Sequence, residues 1–92
     1  NNKFKLNLNL SFISLDENAS ILKNINKNYY SQLTLASTVI KDSLVLSTLL
    51  SDLSISDLFF YNIDLSGINV AEIAKEICSK IKFLFYSVHQ QR

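Results

Sequence analysis

Apolar and polar residues alternate strictly at the start of the chain, where every second residue from Phe4 to Phe12 is apolar and the residues between them are Lys, Asn or Ser. This period of two is typical of a strand with one buried and one solvated face. Such strands are common in antiparallel sheets. We therefore predict a first strand over residues 4–12, and Lys3 and Lys5 on its solvated face suit the edge of a sheet.

Residues 31–51 contain no Gly or Pro and several Leu and Ala residues, which predicts one long central helix. At about 100° per residue the apolar side chains fall into two stripes. The first stripe consists of Leu33, Ala36, Ile40 and Leu44. The second consists of Leu35, Val39, Leu46, Leu50 and Leu53. A helix packed on one sheet needs only one stripe, so the second predicts burial against a neighbouring subunit.

We assign a subunit interface to this second stripe and to two charged residues nearer its rim. The assigned residues are Leu35, Val39, Lys41, Asp42, Leu46 and Leu50. A membrane span is the alternative for this stretch, because the run is long enough to cross a bilayer. Lys41 and Asp42 near its middle argue against a span, since each charge at the bilayer centre costs about 2.5–3.5 kcal/mol.

Capping patterns predict three more helices. Residues 14–17, Ser-Leu-Asp-Glu, predict a helix that starts near Asp16 and continues into the central one. Residues 54–57, Ser-Ile-Ser-Asp, predict a short helix over residues 57–61. Residues 69–72, Asn-Val-Ala-Glu, predict a third helix. Its apolar face consists of Val70, Ile73, Ala74, Ile77 and Ile81.

The end of the chain is apolar on both faces over residues 83–88, which predicts an interior strand covered on two sides and paired with the first strand. Residues 61–68 are read as a strand or a loop, and the pattern shows no internal repeat. We therefore predict one α+β domain over residues 1–92. A small mixed or antiparallel sheet is packed on one face by the long central helix and a shorter second helix.

Composition narrows the functional classes. The chain has 92 residues, is 48% hydrophobic and carries a net charge of +1, which excludes a disordered chain and gives no electrostatic case for nucleic-acid binding. Its single Cys excludes an intrachain disulfide and a Cys-based metal site. Its single Gly excludes a Gly-rich phosphate loop. We expect no metal and no cofactor.

Nucleophilic catalysis would have to use Cys78 with the only His, His89, because a nucleophile needs an adjacent base. We interpret Cys78 as a packing residue near the core-facing stripe of the third helix, and His89 as a strand-end residue. We therefore expect no catalytic residues and a non-enzymatic function. An enzyme using this pair remains an alternative.

Three stretches resemble the periplasmic domain of the flagellar FliL family. The opening KFKLNLNLSF is similar to that family's first strand. The segments IKDSLV, residues 40–45, and LSDLSISDL, residues 50–58, are similar to its long-helix signature. Residues 80–91, which end in Gln, are similar to its closing aromatic strand.

The resemblance implies a fold like that of stomatin-type, ring-forming domains and no enzyme activity. It also implies a periplasmic location, with an inner-membrane anchor upstream of Asn1, and homo-oligomeric rings around the stator proteins of the flagellar motor. The alternative is a protein-interaction domain of another envelope or secretion complex.

Overall fold

A strand followed by a helix recurs along the chain. The structure is a computed structural model that describes residues 6–25 and 28–88. The element bounds are β1 Leu6–Asn9, α1 Ala19–Leu22, β2 Tyr30–Ala36, α2 Ser43–Asp52, β3 Asp57–Tyr61, α3 Val70–Lys80 and β4 Phe83–Ser87. The strands form one parallel sheet in the order β1-β2-β3-β4. The chain is a small α/β domain in which each strand lies beside its predecessor in sequence.

The register of the sheet shows a repeat. Leu8 pairs with Leu33, Leu33 with Leu58 and Leu58 with Leu84, so equivalent positions recur at a nearly constant spacing along the chain. The prediction that the chain has no internal repeat is therefore wrong. Equivalent positions hold chemically different residues, such as Leu35, Phe60 and Tyr86 two positions further on, and this variation hides the period.

The turn after each strand repeats with the same spacing. Phe12, Ser37 and Asn62 all have positive φ, at 62°, 48° and 53°. Each donates its backbone N–H to a carbonyl of the following strand, at 2.9, 2.9 and 2.7 Å respectively. A left-handed residue costs roughly 1–2 kcal/mol when it is not Gly. The repeated hydrogen bond holds this conformation and ends each strand at an equivalent place.

The core lies between one face of the sheet and the helices. Leu33, Leu35, Leu58 and Phe60 are at most 2% exposed and point toward the helices. The buried residues of α2 are Leu46, Leu49 and Leu50, and α3 adds Ile73. Helices α2 and α3 pack on each other, and α1 borders α2 across a groove. The prediction that helices cover one face of the sheet is confirmed.

The predicted fold class, α+β with a mixed or antiparallel sheet, is wrong. All strand pairs are parallel. The alternation in the first strand indicates only that one face of the strand is buried. One-sided burial is usual in antiparallel sheets, but this parallel sheet has it too, because its helices lie on one side. Of the predicted strand, β1 covers Leu6–Asn9. Lys3, Phe4 and Lys5 lie outside the described residues.

The prediction of one long central helix is also wrong, because residues 31–51 form most of β2, a connecting segment and most of α2. Leu33 and Leu35 alternate with Gln32, Thr34 and Ala36, but this period of two is short and the surrounding Leu residues also fit a helix. The β-branched residues at 38–40 favour extended backbone. Helix α2 begins after Asp42, whose side chain accepts a 2.9 Å hydrogen bond from the Leu44 N–H.

Two further predictions near the C-terminus are wrong. The short helix predicted at residues 57–61 is the strand β3. The strand predicted as interior, β4, shares the sheet with β1 as expected, but it lies at the opposite edge and is exposed along its whole length. A residue pattern that is apolar on both faces fits an interior strand and also an edge strand whose partner is absent.

The prediction of the third helix is confirmed. Helix α3 starts after Asn69, whose Oδ1 accepts a 3.1 Å hydrogen bond from the Ala71 N–H. Of its predicted apolar face, Ile73 is buried and Ile77 is partly buried, whereas Val70 is exposed. Within residues 6–25 and 28–88, the helices are too short or too polar to cross a bilayer.

Candidate functional site: the uncovered face of the sheet

One face of the sheet carries no helix among the described residues. We call it the open face, and its side chains alternate with those that enter the core. They are Asn7 and Asn9 from β1, Gln32, Thr34 and Ala36 from β2, Asp57, Phe59 and Tyr61 from β3, and Phe83, Phe85 and Ser87 from β4. Four parallel strands thus present an ordered array of side chains to solvent.

The first half of the open face is a hydrogen-bonded polar row. The Asn7 amide donates to Thr34 Oγ1 at 2.9 Å and to Gln32 Oε1 at 3.5 Å. Gln32 Nε2 donates to Asp57 Oδ2 at 3.1 Å, and the Ser56 hydroxyl donates to Asp57 Oδ1 at 3.3 Å. These contacts run across three strands and hold the Gln32 amide and the Asp57 carboxylate in defined positions.

The second half of the open face is an aromatic cluster, defined as Phe59, Tyr61, Phe83 and Phe85. Ring centroids lie 5.2 Å apart for Tyr61 and Phe85, 5.6 Å for Phe59 and Phe83, and 6.5 Å for Phe59 and Tyr61. Tyr61, Phe83 and Phe85 are 40%, 49% and 39% exposed. The rings pack on one another from two adjacent strands and leave a continuous apolar surface in water.

Three of the six residues assigned to a subunit interface are buried in the chain's own core. Leu35 lies in β2, and Leu46 and Leu50 lie in α2; all three have no exposed surface. They come from a strand and a helix on either side of a connection, not from one helical stripe. In this fold they offer no surface to a neighbouring subunit.

The other three assigned residues, Val39, Lys41 and Asp42, are exposed between β2 and α2. The backbone N–H groups of Lys41 and Asp42 donate to the Asp16 carboxylate at 2.8 and 3.0 Å. This contact joins the segment between β1 and β2 to the segment between β2 and α2. An intersubunit role for these three residues stays a prediction.

The residues considered for nucleophilic catalysis do not form a described site. Cys78 is exposed on α3, so the prediction that it packs against the core is wrong. The apolar stripe of α3 runs through Ile73 and Ile77, and Cys78 lies one residue, or about 100°, beyond it. His89 lies outside the described residues. Among the described residues, no cluster of His, Cys, Asp and Glu has the arrangement of a metal site.

Two grooves lie outside the open face. A groove of about 490 Å³ lies at the carboxyl ends of β2 and β3, with walls that include the polar residues Ser37, Asn62 and Asp64 and the apolar residues Val39 and Ile40. The backbone N–H of Ser66 and then its hydroxyl hold the pKa of the Asp64 carboxyl below its usual value of 3.8. That carboxylate is already bound by its own loop and is fully exposed.

An apolar groove of about 260 Å³ lies between α1 and α2, with walls that include Leu22, Leu44, Val45 and Leu49. Lys23 and Asp52 also line it. Neither groove brings together a nucleophile, a base and an oxyanion site, which is the arrangement that acyl transfer needs.

Comparison with models of protein families, with curated proteins and with solved structures yields no match.

The open face is absent from the sequence predictions because it depends on the repeat, which the variation between equivalent positions hides. The signal is present in the chain: Thr34 and Ala36 of β2, Phe59 and Tyr61 of β3, and Phe85 and Ser87 of β4 are equivalent positions of successive repeats. Aligning the chain on that period would have placed the aromatic residues on one face of neighbouring strands.

Proposed function

We propose that this chain is a non-enzymatic protein-binding module that binds a partner polypeptide on the open face. One observation carries the proposal: the exposed aromatic cluster of Phe59, Tyr61, Phe83 and Phe85 lies on a face that the chain's described helices leave uncovered. Large contiguous apolar patches are uncommon on monomeric proteins and mark sites of interaction.

The chemistry of the open face suits a protein partner. Phe and Tyr are enriched in the cores of protein interfaces, and such residues supply much of the binding energy. The neighbouring polar row supplies amide donors and acceptors from Asn7 and Gln32 and one carboxylate from Asp57. A partner with apolar side chains opposite the aromatic cluster and hydrogen-bonding groups opposite the polar row would match both halves.

The repeated architecture supports the same function. Stacked strand-and-helix units of about 20–29 residues form solenoids whose strand face is an extended binding surface. Residues 33–40 also follow the order in which leucine-rich repeats place their residues. Leu33, Leu35 and Ile40 take the apolar places, and Thr38 stands where those repeats have Asn or Cys.

Selection from a displayed peptide library on the immobilised chain tests the proposal. We expect enrichment of peptides that contain aromatic or aliphatic residues. The affinity of a selected peptide is then measured for wild type, Tyr61→Ser and Phe85→Ser. Because an aromatic residue at the centre of an interface contributes about 2 kcal/mol or more, each substitution should weaken binding about 30-fold.

Val70→Ser is the matched control, because Val70 is 59% exposed on α3 at the helical side of the sheet. It should leave peptide affinity unchanged, and circular dichroism should show all variants folded. The proposal is wrong if Val70→Ser weakens binding as much as Phe85→Ser, or if no peptide is enriched over an unrelated immobilised protein.

The flagellar scaffold role implied by the resemblance stays a prediction. It was inferred together with a stomatin-like α+β fold and a long helix, and the structure has a parallel sheet with shorter helices. Homo-oligomeric rings, stator proteins as partners and an anchored periplasmic location were inferred from the same resemblance. The open face favours the more general alternative, a protein-interaction domain, and does not depend on the cellular location.

A further inference from the structure

The open face carries one charged side chain among the described residues, the carboxylate of Asp57. Its neighbours across the strands differ in chemistry: Gln32 of the polar row pairs with it in β2, and Phe83 of the aromatic cluster pairs with it in β4. Phe59 follows two residues later on the same face of β3. Asp57 therefore lies at the boundary between the polar row and the aromatic cluster.

We propose that the open face recognises an arginine side chain of its partner polypeptide. The guanidinium pairs with the Asp57 carboxylate and lies against the ring of Phe59, while apolar side chains of the same partner contact the rest of the aromatic cluster. The proposal rests on the proposed function, because it names the chemistry of the partner that the open face binds.

Hydrogen bonds hold the Asp57 carboxylate in place and leave room for two more donors. Gln32 Nε2 donates to Asp57 Oδ2 at 3.1 Å, and the Ser56 hydroxyl donates to Asp57 Oδ1 at 3.3 Å. Each carboxylate oxygen accepts about two hydrogen bonds, so each keeps one acceptor position. A guanidinium presents two parallel N–H donors to the two oxygens of a carboxylate. The remaining acceptor positions of Asp57 therefore match arginine better than the single ammonium group of lysine.

The charge of Asp57 calls for a cation from the partner. Its hydrogen-bond partners among the described residues, Gln32 and Ser56, are both neutral, and the polar row continues from Gln32 to the neutral side chain of Asn7. An apolar or acidic group placed over this partly buried carboxylate would remove its water and supply nothing in return. A guanidinium replaces that water with two charge-assisted hydrogen bonds and thereby avoids an unpaired charge inside the interface.

The rings beside Asp57 favour the same group. The ring centroids of Phe59 and Phe83 lie 5.6 Å apart, so the two rings form one surface next to the carboxylate. A cation within about 6 Å of a ring centroid is attracted to the face of the ring, and in such contacts it is more often arginine than lysine. Asp57 and Phe59 both belong to β3, which has a strand on each side, so their juxtaposition belongs to the middle of the sheet.

A small guanidinium probe tests the site without a selected peptide. N-acetylargininamide is titrated into the isotope-labelled chain, and the NMR signal of the Gln32 side-chain amide reports binding, because that amide donates to Asp57. We expect a saturable shift at millimolar probe and none with N-acetylcitrullinamide, which has a similar shape and no charge. This comparison uses wild type alone, so it holds whatever a substitution does to stability.

Asp57→Asn should abolish the response of Gln32 to the arginine probe. Asp64→Asn is the matched control, because it removes the same charge from a fully exposed carboxylate in the segment after β3. It should respond like wild type, and circular dichroism should show both variants folded.

A double-mutant cycle tests the arginine within a peptide. Peptides selected on the wild-type chain should carry Arg near an aromatic or aliphatic residue. Replacing that Arg by citrulline should weaken binding about 10-fold or more, because hydrogen bonds between charged groups are stronger than neutral ones. Asp57→Asn should weaken binding of the Arg peptide by a similar factor, and citrulline should then have little further effect. In Asp64→Asn the full effect of citrulline should remain.

The proposal is overturned if the Gln32 signal does not move with the arginine probe, or if it moves equally in Asp57→Asn. It is also overturned if the selected peptides lack Arg or bind equally well with citrulline in its place. Enriched peptides that bind through Tyr61 and Phe85 without Arg would leave the proposed function standing. A response of Gln32 to the arginine probe without enrichment of any peptide would support the arginine site and contradict the proposed function.

Discussion

Thr38 shows how one side chain ties two repeats together. It is only 5% exposed, and its hydroxyl donates to the carbonyl oxygen of Leu10 at 2.7 Å. The equivalent positions of the two neighbouring repeats hold Ile13 and Ile63, so both neighbours are apolar at this place. A buried hydroxyl is tolerated here because its hydrogen bond is made.

Thr38→Val keeps the volume of the side chain and removes the donor. We expect the free energy of unfolding to fall by about 1–3 kcal/mol, because the Leu10 carbonyl loses a buried partner. Urea denaturation measures the change. Thr48→Val, on the exposed surface of α2, is the control and should change stability by less than about 0.5 kcal/mol. Equal effects of the two substitutions would contradict a role for the hydrogen bond.

At the scale of elements, a side chain of α3 caps the C-terminal end of α2. The Lys80 ammonium, in the last turn of α3, donates to the carbonyl oxygens of Leu50, Ser51 and Leu53 at 2.6, 3.0 and 3.0 Å. A helix leaves its last carbonyls without partners, and a cation there is also favoured by the helix dipole. The contact fixes where α2 ends and how α3 lies beside it.

Lys80→Met retains much of the aliphatic stem and removes the charge. We expect a loss of about 1–3 kcal/mol in the free energy of unfolding, because three carbonyls lose a charged donor. Lys75→Met is the matched control on the same helix, since Lys75 is exposed and should be nearly neutral. Thermal and urea unfolding followed by circular dichroism compare the two. If Lys75→Met costs as much as Lys80→Met, the closing contact does not stabilise α2.

At the scale of the whole molecule, equivalent positions of the repeat are unequally buried. Leu33 and Leu58 have no exposed surface, whereas Leu84 is 48% exposed. The interior strands have a neighbour on each side, and β4 has one among the described residues. Stability is therefore concentrated in the middle of the sheet, as expected for stacked units that rely on their nearest neighbours.

Replacing equivalent leucines measures how much each strand contributes to the free energy of unfolding. Leu58→Ala should lower the free energy of unfolding by about 2–5 kcal/mol, because it opens a cavity in the core. Leu84→Ala should cost less than about 1 kcal/mol, because Leu84 is already 48% exposed in the folded chain. Urea unfolding at a few micromolar protein provides both values. A similar cost for the two would mean that β4 is as well packed as β3.

Some of this structure follows from the sequence because it depends on local chemistry. Alternation identifies β1 as a strand with one wet face, and Asn69 with the apolar face behind it identifies α3. The alternation of β1 and the cap of α3 are both local patterns. The structure has both features, because the helices cover only one side of the sheet.

Other features were decided by contacts between distant residues. Leu33 and Leu35 fit a helical stripe and a strand equally well, and pairing with β1 and β3 selects the strand. The residues of β4 fit an interior strand, and the order of the sheet puts them at its edge. The open face exists only once the strands of successive repeats lie side by side, since no local pattern states which strands are neighbours.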